Sequence, residues 1–236
     1  THKGVTVSGQ ITGVPPAIKN KYKSVTLCLD IMFVNKIAFL VTTSRGLHFG
    51  TVENLVNRQV STVKDALNRV LSQYARRGFR VATIHADPEF MPLQTEIGHV
   101  QFNLCAQNEH VPEIERFIRT VKDRTRSGYH SLPFKRIPRL IIIRLVSNCV
   151  FWLNAFPHKD GVSSTLSPRY LLTGKHLDFT KHVRTEFGGY VQTHEQHSNN
   201  MDARTIGAIC LGPSGNEQGG HWFLSLSTGK RIHRHR

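Results

Sequence analysis

Three acidic side chains occupy positions from which carboxylates could do chemistry. Asp30 lies in an apolar run between Leu29 and Ile31, where an unpaired charge is costly. Asp87 ends the next long apolar run, and Glu115 lies in the first turns of a predicted helix. If these side chains converge, their oxygens form a ligand set that suits Mg²⁺ or Mn²⁺. Two such ions can activate a water or hydroxyl and stabilise the leaving oxygen at a phosphodiester.

Each acid also has a plainer interpretation. Asp30 could face solvent from the edge of a strand, and Asp87-Pro88 could simply start a turn. Glu115 could be a charge favoured by the dipole at the start of a helix. The three positions taken singly therefore leave both interpretations open.

The face of the predicted helix favours a functional role for Glu115. Glu115, Arg119, Lys122 and Arg126 are spaced i, i+4, i+7 and i+11, so they share one stripe. One carboxylate followed by three cations is typical of a surface that places a metal ligand beside a phosphate backbone, although a solvated helix is the alternative. Glu113 competes for the ligand role, but it lies about 200° away from Glu115 around the helix.

The positive charge of the chain is concentrated after Glu115. The sequence of 236 residues has 31 Lys and Arg against 16 Asp and Glu, a formal charge of +15, and residues 116–139 contribute +7 of it. Such an excess indicates a polyanionic partner, either nucleic acid or an anionic membrane surface, although solvated charge alone could also explain it. The predicted nucleic-acid contacts are Arg116, Arg119, Lys122, Arg126, Lys135 and Arg136.

Several other classes of protein are disfavoured by the composition. The four cysteines are far apart, so neither a zinc knuckle nor a disulfide framework is indicated, and a reducing compartment is expected. The most apolar stretch, residues 140–156, is interrupted by Arg144, Asn148 and Asn154, and it fits a buried helix better than a membrane span. The sequence given has no apolar h-region at its start and begins at Thr1, so we expect a piece of a longer protein that is not secreted.

The hydrophobic pattern predicts an α/β core followed by a small all-β module. Two β-rich runs flank Asn35-Lys36, a pair that predicts a tight hairpin. Helical spacing then predicts three helices, and glycine-broken β runs follow Pro157. The predicted helices are residues 59–77, ended by Gly78, residues 112–127, ended by Gly128, and residues 138–155.

These segments resemble a known family of proteins. Residues 108–122, with the sequence NEHVPEIERFIRTVK, resemble the catalytic helix of integrases from copia-type LTR retrotransposons. The blocks FWLNAFP at residues 151–157, SPRY at 167–170 and TGK at 173–175 resemble the part that closes that core. The tail at residues 203–231 resembles the small C-terminal β-barrel of the family, so the resemblance covers the chain from about Val25 to its end.

The resemblance implies a fold and a division into domains. The fold is an α/β, RNase H-like core, with a five-stranded mixed sheet flanked by helices, followed by a small all-β barrel-like module. We expect an extended N-terminal linker at residues 1–24 and the catalytic core at 25–157. A connector at 158–180 and the β-barrel-like module at 181–236 would follow.

The resemblance also implies an activity. Asp30, Asp87 and Glu115 would hold Mg²⁺ (or Mn²⁺) in a polynucleotidyl transferase and DNA endonuclease. This enzyme would trim the 3′ ends of the element's double-stranded DNA and join them to target DNA, without a small-molecule cofactor. A homo-oligomer is expected, acting in the nucleus or in an intracellular retrotransposon particle, with no membrane partner.

Two departures from the family keep other functions open. Only 27 residues separate Asp87 from Glu115, several fewer than is usual in the family, and the zinc-binding N-terminal domain is not in this sequence, so we expect it upstream. The first alternative is a catalytically degenerate, integrase-derived protein that binds nucleic acid without cutting it. The second is an RNA-strand hydrolase of the same fold, which the helix glutamate makes less favoured.

Overall fold

The computed structural model describes residues 12–106, 111–194, 201 and 203–234. The described chain forms two compact units. Of the described residues, the larger unit contains 12–106, 111–127 and 149–174, and the smaller contains 128–148, 175–194, 201 and 203–234.

The larger unit combines one sheet with helices. Its elements in chain order are α1 (Pro16–Lys21), β1 (Ser24–Val34), β2 (Ile37–Ser44), β3 (Gly50–Leu55), α2 (Val60–Ala75), β4 (Arg80–Ala86), a 3-10 turn (Pro88–Phe90), α3 (Met91–Glu96), β5 (Gln101–Leu104), α4 (Pro112–Ser131), α5 (Arg139–Leu153) and α6 (Pro168–Thr173). Residues from Gly128 of α4 to Asn148 of α5 belong to the smaller unit.

The sheet of the larger unit has five strands in the order β3-β2-β1-β4-β5. The pairs β1–β2 and β2–β3 are antiparallel, whereas β1–β4 and β4–β5 are parallel. Parallel pairs need a crossover connection, which α2 and α3 provide. This mixed sheet flanked by helices is an RNase H-like α/β core, and the fold class expected from the sequence is confirmed.

The hairpin between β1 and β2 sets the register of the central strand. Asn35 and Lys36 have φ angles of 47° and 64°, as a type I′ turn requires at both central positions. The turn pairs Val34 with Ile37, and the same register brings Asp30 opposite Val41. The predicted tight hairpin is therefore confirmed, and it decides where Asp30 lies along the sheet.

The core of the larger unit forms where α2 packs on the sheet. The buried face of α2 carries Val63, Leu67, Val70 and Tyr74, at the helical spacing seen in the sequence. The Tyr74 hydroxyl donates a hydrogen bond to the Phe49 carbonyl at 3.3 Å, so this fully buried phenol keeps a partner. Gly78 adopts a φ of 79° just after the helix, as its predicted role as a stop requires.

Three expectations about local structure were wrong. The expected linker at 1–24 contains helix α1, which begins with Pro16 at its first position and packs Ile18 against the core. Helix α4 continues through Gly128 to Ser131. A Cβ on Gly128 would lie 3.0 Å from Leu145 Cδ1, so this glycine allows close packing of two helices and does not end one. The expected connector at 158–180 contains α6 and part of another helix.

The smaller unit carries an antiparallel sheet. After α7 (Phe179–His182) come β6 (Tyr190–His194), β7 (Thr205–Pro213), β8 (His221–Ser225) and β9 (Arg231–Arg234), paired in the order β6-β7-β8-β9. Ala208, Cys210 and Phe223 form its core. Arg234 Nε of β9 donates to the His194 carbonyl of β6 at 3.0 Å, so the two edge strands meet through a side chain. No backbone ladder joins them among the described residues, and the barrel-like closure stays a prediction.

Within the described ranges, none of the helices combines the length and the apolar character that a membrane span needs. Most of residues 140–156 form α5.

Candidate active site and basic groove

Asp30 lies on β1, the central strand of the five-stranded sheet, and its side chain is half-buried. Its Oδ1 accepts a hydrogen bond from the Ile31 backbone N–H at 2.6 Å, which fixes the carboxylate next to the strand. β1 continues beyond the last residue that it pairs with β4, because its long hairpin with β2 supports the extension. The Asp30 carboxylate therefore lies beyond the last residue pair of the parallel β1–β4 ladder.

Asp87 follows the last residue of β4 and is exposed. In the parallel pair, Cys28 is level with His85. Both aspartates lie two positions beyond this last pair, Asp30 on β1 and Asp87 in the segment directly after β4. The two aspartates predicted from the sequence therefore lie beyond the same end of the parallel β1–β4 ladder, and the charge of Asp87 contributes to the raised pKa of Asp30.

Glu115 lies in the first turn of α4, and its side chain is exposed. Asp30 and Glu115 line the same open groove, with a volume of about 330 Å³. The groove also takes in Arg119, Lys122 and Arg126 of the same helix. The stripe predicted from the i, i+4, i+7 and i+11 spacing therefore borders one surface together with Asp30.

Burial and the charges of neighbouring acids both act on the pKa of Asp30. Burial raises the pKa of the Asp30 carboxyl from 3.8 to about 6, against the lowering effect of the Ile31 N–H. The negative charges of Asp87, Glu89 and Glu115 raise the pKa further. A half-buried carboxylate surrounded by like charges favours either a bound proton or a bound cation.

The three predicted ligands are of the chemical type that binds hard divalent cations. Asp30, Asp87 and Glu115 offer only carboxylate oxygens, the ligands preferred by Mg²⁺ and Mn²⁺. Over the ranges that the structure describes, however, no three His, Cys, Asp or Glu side chains lie close enough to share one ion. The acids therefore form a loose cluster whose mutual repulsion a cation would reduce, and their assignment as metal ligands stays a prediction.

Glu89 is the acid that the sequence analysis missed. It belongs to the 3-10 turn directly after Asp87 and contributes to the raised pKa of Asp30. Arg58 pairs with its carboxylate through Nη2. Its position two residues after Asp87, with Pro88 starting a turn, is the signal that could have drawn attention to it.

The six predicted nucleic-acid contacts fall into three places. Arg119, Lys122 and Arg126 border the groove with Asp30, and Arg126 Nη1 pairs with Asp123 Oδ1 at 2.8 Å. Arg116 lines a different cavity on another face of α4. Lys135 and Arg136 are exposed in the segment between α4 and α5, which belongs to the smaller unit. The structure thus brings three of the six cations together with Asp30 and Glu115, whereas Asp87 does not line this groove.

Glu113, the other candidate metal ligand on α4, forms an ion pair outside the groove. Its Oε1 lies 2.9 Å from Arg45 Nη2, and its side chain lines the same cavity as Arg116. Because Glu113 and Glu115 lie about 200° apart around α4, only Glu115 borders the groove with Asp30. Residues 107–110, which include the start of the segment that resembles the integrase helix, lie outside the described residues.

Comparisons with solved structures find similar folds. The catalytic core domain of BIV integrase aligns with a TM-score of 0.43 and 15% identity, over 62% of this chain and 92% of that chain. The catalytic core domain of HTLV-2 integrase, in complex with magnesium and in a trimeric form, aligns with a TM-score of 0.44 and 13% identity, over 62% of this chain and 95% of that one. No family model matches the sequence, and no curated protein matches it either. Identities and TM-scores this low do not indicate a function. The function must therefore be inferred from the side chains of the site.

Proposed function

We propose that this chain is a divalent-metal-dependent polynucleotidyl transferase of the retrotransposon integrase type. It would process the 3′ ends of element DNA and insert them into target DNA. The observation that carries the proposal is the position of Asp30, a half-buried carboxylate whose pKa is raised by burial and by Asp87, Glu89 and Glu115. Arg119, Lys122 and Arg126 border the same groove.

The groove supports phosphodiester chemistry because it places acids and cations on one surface. Arg119 and Lys122 would contact phosphates on either side of the reacting one and hold the backbone in register. Asp30, Asp87 and Glu115 would hold Mg²⁺ or Mn²⁺, which when bound supplies activation of the attacking oxygen and stabilisation of the leaving oxygen. The acids need not transfer a proton themselves for this role.

One groove could serve both steps of the proposed reaction. In end processing, water attacks phosphorus and the bond from phosphorus to the 3′ oxygen of the retained strand breaks, so this strand keeps a 3′ hydroxyl and the terminal nucleotides leave with a 5′ phosphate. In strand transfer, the freed 3′ hydroxyl attacks a target phosphodiester, and one P–O bond forms as another breaks. Both are in-line displacements at phosphorus, so the same ligands and the same phosphate contacts serve each step.

The partners follow from this chemistry. Element ends and target are both double-stranded DNA, and joining two ends to one target requires at least two active sites, so we propose self-association. Light scattering on the purified chain with and without a DNA end tests this expectation. The proposed location is the nucleus or an intracellular retrotransposon particle.

Replacing Glu115 with Gln tests the function directly. Glu115→Gln preserves the shape of the side chain and removes its charge, so strand transfer on a blunt duplex should fall at least about 100-fold while DNA affinity stays within a few fold. The matched control is Glu96→Gln, which removes an exposed acid that pairs with Lys64 outside the groove. Unchanged joining by Glu115→Gln, in a folded protein, would refute the role of Glu115.

A second candidate function is DNA binding without cleavage. Two observations favour it: the 27-residue spacing between Asp87 and Glu115, and the loose cluster of acids, in which no three ligands share one ion among the described residues. Oligonucleotide cleavage with Mn²⁺ across a salt series separates the candidates. Binding that weakens with salt but never yields products supports the non-catalytic candidate.

A further inference from the structure

A second basic surface lies at the edge of the sheet where β1 and β4 begin. The two strands are parallel, and Ser24 of β1 is level with Arg80 of β4. The Arg80 N–H donates to the Lys23 carbonyl at 2.8 Å, which joins the chain before β1 to the start of β4. Asp30 lies farther along β1, about 20 Å from Ser24 at the usual rise per residue. This edge is therefore opposite the one that carries the acids.

The ends of two helices bring cations to this edge. Helix α1 ends at Lys21 and α2 ends at Ala75, each shortly before one of the two parallel strands. The Lys19 side chain lies across the loop after α2, since a Cβ on Gly78 would lie 2.7 Å from Lys19 Cε. Five exposed cations therefore share the edge, and together they are called the edge patch: Lys19, Lys21, Lys23, Arg76 and Arg80.

No acid offsets the charge of the edge patch. Residues 12–24 and 75–82 contain six Lys and Arg and no Asp or Glu. With the +7 of residues 116–139, these two stretches account for all but +2 of the formal charge of the chain. Among the described residues, none of the five cations forms an ion pair with an acid. Neighbouring positive charges without acidic partners favour a polyanion.

Arg77 belongs to the same stretch of sequence but has a structural role. Its Nε donates to the Leu171 carbonyl at 3.1 Å, and its Nη2 donates to the Thr12 carbonyl at 2.7 Å. These bonds attach the chain before α1 and helix α6 to the end of α2. Within the ranges that the structure describes, no cation of the edge patch makes a side-chain hydrogen bond of this kind. Their charged groups are therefore available to a ligand.

An open groove continues from the edge patch along α2. Its volume is about 530 Å³, and Arg80 lines it together with Asn68, Ser72 and His99. Asn and Ser are among the side chains that contact phosphate oxygens beside Lys and Arg. No acid is among the described residues that line the groove. A phosphate backbone at the patch would thus meet further polar groups.

The edge patch fits a duplex better than a single strand or a membrane. Single strands bind by stacking their bases on free aromatic rings. Tyr22 packs against the core with Lys21 Nζ over its ring at 5.4 Å, and Phe79 is 1% exposed. Among the described residues, the exposed large apolar side chains lie outside residues 12–24 and 75–82, whereas a membrane-surface segment inserts such side chains.

We propose that the edge patch binds the phosphate backbone of double-stranded DNA as a second surface, separate from the groove of Asp30. The separation of about 20 Å exceeds the screening length of about 8 Å at physiological salt, so the two surfaces bind phosphates independently. Binding here needs no cleavage at the groove. If the proposed function holds, the patch supplies a contact for duplex DNA away from the reacting phosphate.

Two triple variants that remove the same charge test the proposal. Duplex binding is followed by fluorescence anisotropy across a salt series in EDTA, so the result does not depend on metal or on catalysis. Each lost phosphate contact lowers the slope of log K against log salt by about 0.9, so the patch variant should lose about two to three units. The charge-matched control should lose less than about one. The patch variant combines Lys21→Ala, Lys23→Ala and Arg80→Ala, and the control combines Lys64→Ala, Arg69→Ala and Lys159→Ala.

Lysine acetylation locates the contact without changing the patch. Mass spectrometry of the chain, acetylated with and without duplex, should show protection of Lys21 and Lys23 but not of Lys159, which is exposed elsewhere in the larger unit. The protection should persist in a chain that combines Arg119→Ala and Lys122→Ala, because the groove is a separate surface. Circular dichroism checks that every variant is folded.

The two measurements together decide the proposal. A larger loss of slope in the patch variant than in the control, with Lys21 and Lys23 protected by duplex, supports it. Equal losses would show that net charge alone acts, and absence of protection would place the DNA elsewhere. Tighter binding of a single strand of equal length, with the same dependence on the patch, overturns the duplex assignment. Protection by phosphatidylserine vesicles but not by duplex overturns it in favour of a membrane surface.

Discussion

The Asn154 side chain makes both backbone hydrogen bonds of Gly50. Its Oδ1 accepts from the Gly50 N–H at 2.9 Å, and its Nδ2 donates to the Gly50 carbonyl at 2.7 Å. Asn154 is 5% exposed and follows α5, whereas Gly50 starts β3. A Cβ on Gly50 would lie 2.1 Å from the Phe117 ring of α4, so three elements meet where only glycine fits.

Replacing Asn154 with Ala should therefore destabilise the chain by much more than the loss of a single surface contact would. Two buried backbone groups would lose their partners, and we expect the free energy of unfolding to fall by at least about 2 kcal/mol. Urea denaturation measures it, with Gln101→Ala as an exposed control that should change stability by less than about 0.5 kcal/mol. A cost for Asn154→Ala as small as that of the control would contradict this account.

Replacing Asp30 with Asn should stabilise the chain in a pH-dependent way. Burial and the nearby acids raise the pKa of Asp30 to about 6, so the folded state binds a proton more tightly than the unfolded state does. The stability that Asp30 contributes is present below its unfolded pKa of about 3.8 and is lost as the pH rises through 6. Asn cannot ionise, and its oxygen can still accept from the Ile31 N–H.

Urea unfolding of wild type and Asp30→Asn at several pH values measures this effect. We expect the variant to be more stable by roughly 1 kcal/mol at pH 7.5, after allowance for solvent screening. The difference should shrink between pH 6 and pH 4. An equal difference between the two proteins at pH 4.5 and pH 7.5 would show that the ionisation of Asp30 is not its cause.

Magnesium should stabilise the chain through the same carboxylates. A cation that binds the folded state alone raises the melting temperature by mass action, and binding competes with the proton on Asp30. We therefore expect Mg²⁺ to raise the Tm more at pH 8 than at pH 5. The rise should be largely lost in Asp30→Asn, with NaCl of equal ionic strength as the control. A similar rise in Asp30→Asn would place the ion elsewhere.

Replacing Lys122 with Ala should weaken DNA binding without regard to sequence. Lys122 borders the groove with Asp30 and Glu115, and a lysine that contacts a phosphate contributes about one unit to the dependence of log K on log salt. Fluorescence anisotropy across a salt series measures the slope. Lys64→Ala is the matched control, since Lys64 pairs with Glu96 at 2.6 Å outside the groove. Equal slopes for both variants would exclude a phosphate contact at Lys122.

Part of the site could be predicted from the sequence because its determinants are local. The spacing of Glu115, Arg119, Lys122 and Arg126 assigns them to one helical stripe, whatever the helix packs against. The Asn35-Lys36 pair likewise predicts a hairpin, because left-handed φ angles at two adjacent residues are a property of the turn itself. The α/β core follows from alternating strand and helix periods.

Other parts depend on contacts between residues far apart in sequence. Glu89 influences Asp30 across 59 positions only because β1 and β4 are neighbours in the sheet. Gly128 stays helical because Leu145 packs close to it, although its residue type predicts a helix end. Arg116 is one residue from Glu115 but faces a different cavity, since adjacent helical residues diverge by about 100°.

The sequence by itself determined which side chains can do chemistry, the faces that they share and the class of the fold, because periodicity and turn preferences act over a few residues. Only the tertiary structure decided which of these side chains meet. It placed Asp30 and Glu115 on one groove, paired Glu113 with Arg45 and left Glu113 Oε2 buried without a donor among the described residues. Strand register and helix packing decide such contacts, since burial of the whole core selects one arrangement among many that the local preferences allow.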